Sequence, residues 1–281
     1  MKETDTLQRF MFEHASIRGE IVRVHESFDA ILKQRPYPPI IKHMLGEALM
    51  SCILLAGSIK FEGEIKLQFN GDERLPHMIV HCDNQLNIRA CAKYKSDADV
   101  DYAEAFLNGH MSITIVQYRQ TNAYQTILPI RSVSMADNLM GYFAESEQIP
   151  SKVWLAIGDE TAAGMLLQLL PDQNTVQREQ FWEYAVQIGQ TITEEEMLTL
   201  DNKTILYRLY HETVLRLYDA RPIHFKCRCT QEKMKQVLNV LGETDVQQLL
   251  AQKGHVEVCC DFCNQRYLFD PIDIAVLFRH H

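Results

Sequence analysis

The chain has 281 residues, 46% apolar and 23% charged, with 12 glycines and 9 prolines. At ~150 residues per domain this allows about two domains, and the composition excludes collagen-like, low-complexity and intrinsically disordered classes. A net charge of −9 argues against broad binding to nucleic acid or an acidic membrane.

The opening Met1–Thr6 lacks the apolar core of a signal peptide, so the expected location is the cytoplasm. The longest uncharged apolar stretch, Ala48–Ile59, has 12 residues, short of the ~20 that span a bilayer. No membrane partner is expected.

Residues 1–172 read as a mixed α/β domain. A broad apolar face predicts a helix over Ile40–Ile59. Ile65, Leu67 and Phe69 alternate with Glu64, Lys66 and Gln68, the period of a half-buried strand, and Asn70-Gly71-Asp72 marks a turn. Met78–Cys82, Asp83-Asn84 and the alternating Leu86, Ile88 and Ala90 predict a hairpin. Met111, Ile113 and Ile115 form another strand, Met135–Ser146 a helix, and Val153–Ile157 and Met165–Leu170 two further strands. An antiparallel sheet carrying a few helices is an α+β fold.

Pro171-Asp172-Gln173-Asn174 breaks the chain, and residues 173–220 read as a helical connector. Thr193 and Glu196 have capping-box spacing. Ile205, Leu206, Leu209, Tyr210 and Leu217 follow at helical intervals, with Glu212 and Arg216 as an i,i+4 pair. Residues 221–281 form a small tail with eight Lys/Arg and seven Asp/Glu, against 20 and 30 in the residues before it. An apolar core alone is marginal for such a unit, which calls for a staple.

The cysteines supply one. Five of the eight lie within 37 residues of the tail, and a reducing cytoplasm disfavours structural disulfides. Cys227-Arg228-Cys229 and Cys260-Asp261-Phe262-Cys263, thirty residues apart, suit one tetrahedral zinc ion. Helices over Gln231–Leu241 and Asp245–Gln252, the latter capped by Thr244, are expected between them. Cys259 follows Val256 and Val258 and is read as a non-ligand facing a local core. Cys52, Cys82 and Cys91 sit on apolar elements as core residues. Lys226, Arg228, Lys233, Lys235 and Arg266 are placed to offset the charge of four thiolates.

A permanent structural zinc and a redox switch both remain open at this point. Structural zinc is worth on the order of 10–16 kcal/mol of folding-coupled binding. Disulfides between nearest thiols, Cys227–Cys229 and Cys260–Cys263, would close rings worth roughly 1.5–2 kcal/mol each, and neither ring joins the two ends of the tail. No phosphate-binding loop, dinucleotide fingerprint or nucleophile elbow is present, so no enzymatic activity is expected.

The chain resembles the 33 kDa redox-regulated heat-shock chaperone family of bacteria over nearly its whole length. The resemblance rests on Phe10-Met11-Phe12-Glu13, Ile17-Arg18-Gly19-Glu20, Tyr37-Pro38, Ala162–Gln168 and Tyr207–Glu212. Above all it rests on Phe225-Lys226-Cys227-Arg228-Cys229, Cys260-Asp261-Phe262-Cys263 and Tyr267-Leu268-Phe269. It implies an ATP-independent holdase, inactive while Cys227, Cys229, Cys260 and Cys263 bind one zinc. It also implies that oxidants form the redox-active pairs Cys227–Cys229 and Cys260–Cys263, release zinc, and unfold tail and connector. The exposed surface then binds unfolding client proteins, with homodimerisation on activation. Cys259 departs from the family pattern.

Two rivals remain. A zinc-ribbon nucleic-acid binder needs a basic face, and the tail is near neutral. A thiol–disulfide oxidoreductase needs Cys260 and Cys263 at a helix start.

Overall fold

Pro39 opens a 20-residue helix around which the first half of the molecule is organised. The computed structural model describes residues 5–13, 15–95, 101–119, 123–171 and 175–279. The chain splits into two units, Met1–Phe225 and Lys226–His281. Of the predicted break, residues 172–174 lie outside the described residues.

In chain order the first unit runs β1 (Thr6–Phe12), β2 (Ile17–Val24), α1 (Glu26–Leu32), α2 (Pro39–Ser58), β3 (Gly63–Asn70), β4 (His77–Asp83) and β5 (Asn87–Lys93). There follow α3 (Tyr102–Leu107), β6 (His110–Gln117), β7 (Ala123–Pro129), α4 (Met135–Tyr142), a π-helical turn over Phe143–Glu147, β8 (Ser151–Ile157) and β9 (Ala162–Leu169). Then come α5 (Thr175–Gly189), α6 (Glu194–Thr199), α7 (Asn202–Tyr210) and three short strands, β10 (Leu215–Leu217), β11 (Arg221–Pro222) and β12 (His224–Phe225).

The strands form two sheets. One has the order β10-β1-β2-β9-β8, with β11 also on β1; the other has the order β12-β5-β4-β3-β6-β7. Helix α2 packs against strands of both, and its residues from Ile41 to Ala56 dominate the main core. Pro39 at the first helical turn and extended Pro38 fix its start. By length and composition α2 could cross a membrane, but 78% of its most apolar window is buried inside the fold. Ala48–Ile59 is therefore the uncharged end of a longer core helix.

The predicted strands and helices of residues 40–170 are present with small shifts, and the fold is α+β. One pairing departs from an all-antiparallel reading: β12 runs parallel to β5. Strands β1 and β2 escape a period-2 reading because their sheet is buried on both faces. On one face Leu7, Val22 and Val24 meet α2. On the other, Phe10, Phe12, Ile17, Ile21, Leu167 and Leu169 meet Ala185, Ile205, Leu206 and Tyr210. Gly19 lies opposite Phe10, whose ring would stand 2.1 Å from any Cβ there. The ring needs the glycine.

Helices α5 to α7 thus belong to the first unit, covering its first sheet. The Thr193–Glu196 capping box is present. The expected helix through Leu217 is not: α7 ends at Tyr210, and Leu215–Leu217 becomes a strand beside β1. Glu212 and Arg216 are therefore not an i,i+4 pair. The unit also continues past residue 220, because β11 and β12 pair with its strands.

The second unit contains α8 (Gln231–Leu241), α9 (Glu243–Lys253), β13 (Val256–Cys259), β14 (Arg266–Phe269) and α10 (Pro271–Phe278). Thr244 is not a cap: Gly242, at φ 95°, ends α8 and starts α9 in a conformation open to glycine. The core of this unit is small. Its buried apolar side chains are Leu238, Val246, Val256, Phe269 and Ile274.

Candidate metal centre

The four predicted ligands converge within the second unit. Cys227 and Cys229 lie on the extended segment before α8, whose start is fixed by Thr230 accepting from the Lys233 amide at 3.3 Å. Cys260 and Cys263 lie in the turn joining antiparallel β13 and β14. That turn is closed by Cys260 N donating to Gln265 O and Asn264 N to Cys260 O, both at 2.9 Å. Asn264 takes the left-handed conformation, φ 53°, which asparagine tolerates.

All four Sγ atoms lie within 4.8 Å of one another. The closest approaches are Cys227–Cys260 at 3.6 Å and Cys229–Cys263 at 3.4 Å. A tetrahedral zinc with Zn–S bonds of about 2.3 Å has sulfur–sulfur edges of about 3.8 Å. The donor set fits that ion in number, softness and spacing. Bound there, zinc would supply a tie between the start and the middle of the unit, and no open position for catalysis.

Cys259 stands apart. It is exposed on the strand face shared with Glu257, its Sγ 3.3 Å from Glu257 Oε1, and it is not part of the cluster. The local core expected for it is formed instead by Val256 and Val258, and the chain turns Cys260 inward at the next position.

Two of the expected cations, Lys233 and Arg266, find other partners. Lys233 Nζ donates to Arg228 O at 2.6 Å, and Arg266 Nε pairs with Glu257 at 3.5 Å. The polar group at the sulfurs is Tyr267, whose hydroxyl donates to Cys229 Sγ at 3.1 Å. Sequence reasoning gave Tyr267 no role, though its alternation with Phe269 on β14 already put both on one face. Burial pushes the Cys229 thiol up, but hydrogen bonds from Tyr267 and the neighbouring sulfurs outweigh it, and its pKa ends lowered. Burial raises the Cys227 and Cys263 thiols; at Cys263 the neighbouring sulfurs add to the shift, while at Cys227 they act in both directions. Four such groups ionise together only around a cation.

Cys52, Cys82 and Cys91 are buried in the first unit, as expected. Burial raises the Cys52 and Cys82 thiols far above the ordinary value, which suppresses thiolate chemistry there.

The model of the family described as "Hsp33 protein" matches residues 5–270. The chain belongs to the Hsp33 family. It is 37% identical over 285 aligned positions to a 33 kDa chaperonin of Pseudomonas aeruginosa, covering 99% of this chain and 96% of that one. It is 39% identical to a 33 kDa chaperonin of Azotobacter vinelandii, with 99% and 96% covered. The solved structure of the 33 kDa chaperonin (heat shock protein 33 homolog) of Thermotoga maritima superposes with a TM-score of 0.80 at 23% identity, covering 97% of each chain. That likeness bears on the fold. In this chain the Cys260–Cys263 pair occupies a hairpin turn, not the helix start an oxidoreductase uses.

Proposed function

We propose that the chain is a redox-regulated, ATP-independent holdase with one zinc per chain on Cys227, Cys229, Cys260 and Cys263. The observation that carries this is a unit with a core of five buried side chains, its start and middle brought together by four thiols within 4.8 Å. The reduced, metal-bound form is the inactive one.

Two equivalents of peroxide take two electrons each from the four thiolates. Two S–S bonds form, Cys227–Cys229 and Cys260–Cys263, the two peroxide O–O bonds break, and the four peroxide oxygens take up four protons from solvent and leave as four waters. Each thiolate lost to a disulfide is a ligand lost, so the metal dissociates. A tie worth on the order of 10–16 kcal/mol is replaced by two local rings worth roughly 1.5–2 kcal/mol each. The second unit then unfolds, and the connector over residues 173–220 follows. Phe10, Phe12, Ile17 and Ile21, now under α5 to α7, become a surface for unfolding clients and for a second copy of the chain. The work is binding, in the cytoplasm, without catalysis and without nucleic acid or membrane.

Zinc and free thiols should be counted before and after mild peroxide treatment, alongside aggregation of a heated client with and without ATP. One zinc and eight thiols are expected before, and none and four after. Suppression of aggregation is expected only after oxidation, with no effect of ATP. Equal suppression by both forms would reduce the metal to a structural role.

A further inference from the structure

Each sheet of the first unit has one edge closed by the last eleven residues of that unit, Leu215–Phe225. On β1, Phe10, Met11 and Phe12 face Leu217, Arg216 and Leu215, and Thr6 and Leu7 face Pro222 and Arg221. On β5, Asn87 and Ile88 face His224 and Phe225. The ladders extend past the paired residues. Glu13 N donates to Val214 O at 3.1 Å, Tyr218 N to Arg9 O at 3.0 Å, Ile223 N to Asp5 O at 3.0 Å, and His224 N to Leu86 O at 3.2 Å.

This strap is held by main-chain ladders and by a few side chains. Leu217 and Tyr218 are exposed, Ile223 is buried in the main core, and the partly buried Phe225 and Leu215 pack against the main and second cores. It is short, and it ends two residues before Cys227. Any loss of order spreading back from the metal centre reaches it first.

We propose that β1 and β5 are docking edges for extended segments of unfolding polypeptides, covered in the reduced chain by its own strap. This rests on the holdase reading and names how that client is held. An open strand edge presents alternating unpaired N–H and C=O groups, and an added strand satisfies them whatever its side chains are. A holdase serving many clients needs that tolerance. The strap already displays it: Leu-Arg-Leu and Arg-Pro lie antiparallel on β1, while His-Phe lies parallel on β5. The occupant that fits is therefore any extended chain in either direction, which is what an unfolding protein offers. The edge of β7 carries no second strand among the described residues, so it is an internal reference.

The test uses the full-length chain and hydrogen exchange read by mass spectrometry, with a cysteine-alkylated, permanently unfolded protein as client. Edge-facing amides of residues 6–12 and 87–88 should exchange slowly when reduced, fast when oxidised, and slowly again with client. A ten-residue extended peptide should bind the oxidised chain at least tenfold more tightly than the same peptide N-methylated at alternate residues. Equal binding of the two peptides, or client protection appearing only at residues 123–129, would overturn the proposal. Slow exchange regained without client, together with a doubled mass in sedimentation, would make a second copy the occupant and overturn it too. Aggregation suppression on the same samples separates the two readings. Its absence after oxidation removes the holdase, whereas its presence with unprotected edges removes only the docking strands.

Discussion

Cys259 and Cys260 are adjacent, and the end of β13 sends them to different places: one outward beside Glu257, the other into the thiol cluster. Cys263→Ser should therefore lower bound zinc from one per chain to well below half, whereas Cys259→Ser should keep it, as metal analysis of the purified variants would show. Loss of zinc in Cys259→Ser would overturn the ligand set. Glu20 makes a second residue-scale case. Its carboxylate is wholly buried, with Arg9 Nε at 3.1 Å. Burial outweighs the nearby Arg9 and Arg18 and raises its pKa to about 8. The folded chain thus holds this proton more tightly than the unfolded chain does. The stabilisation is complete below the ordinary carboxylate range and is lost as pH rises towards 8. Thermal melts should show stability of the first unit falling between pH 5 and 8, by at most about 1.4 kcal/mol per unit from this group. Glu20→Gln should flatten that slope; an unchanged slope would assign it elsewhere.

Among the elements, the strap has Ile223 as its most buried anchor. Ile223 is 1% exposed in the main core, while the ladders around it are two or three residues long. Truncating such a side chain costs about 2–5 kcal/mol. Ile223→Ala should shift the peroxide dose for half-maximal activation downward with zinc content unchanged; an unaltered dose–response curve would show that the strap does not limit activation. The sequence showed the elements whose environment is one-sided. Strand β3 alternates because one face meets α2 and the other is more open. It hid β1 and β2, buried on both faces, and it turned β10 into helix because Leu217 happens to fall at helical spacing. The four clustered thiols were legible because each close pair is local in sequence. The hydroxyl of Tyr267 was not, because its reach to Cys229 depends on a hairpin register that no spacing encodes.

For the whole molecule, the two units have unequal means of staying folded. The first encloses a long buried helix between two sheets, and the second has a core of five buried apolar side chains and a cluster of four thiols that could hold a metal. Limited proteolysis after oxidation should cut residues 226–281 first and residues 173–220 next, with 1–172 surviving as the resistant fragment. The order follows from packing: α5 to α7 rest on the first sheet, so they lose support only after the strap. Early cuts within 1–172, with the zinc-free second unit still protected, would overturn the mechanism.

The strap also sets a schedule for synthesis. Gln8 and Tyr218, joined by a 3.1 Å hydrogen bond, are 210 residues apart. At ~5–20 residues per second, a ribosome needs roughly 10–40 s to make the intervening chain. Throughout that interval the first strand waits without its edge partner, and for most of it without the helices that shelter Phe10 and Phe12. The exposed edge of β1 must therefore be closed late in synthesis by the strap that follows those helices.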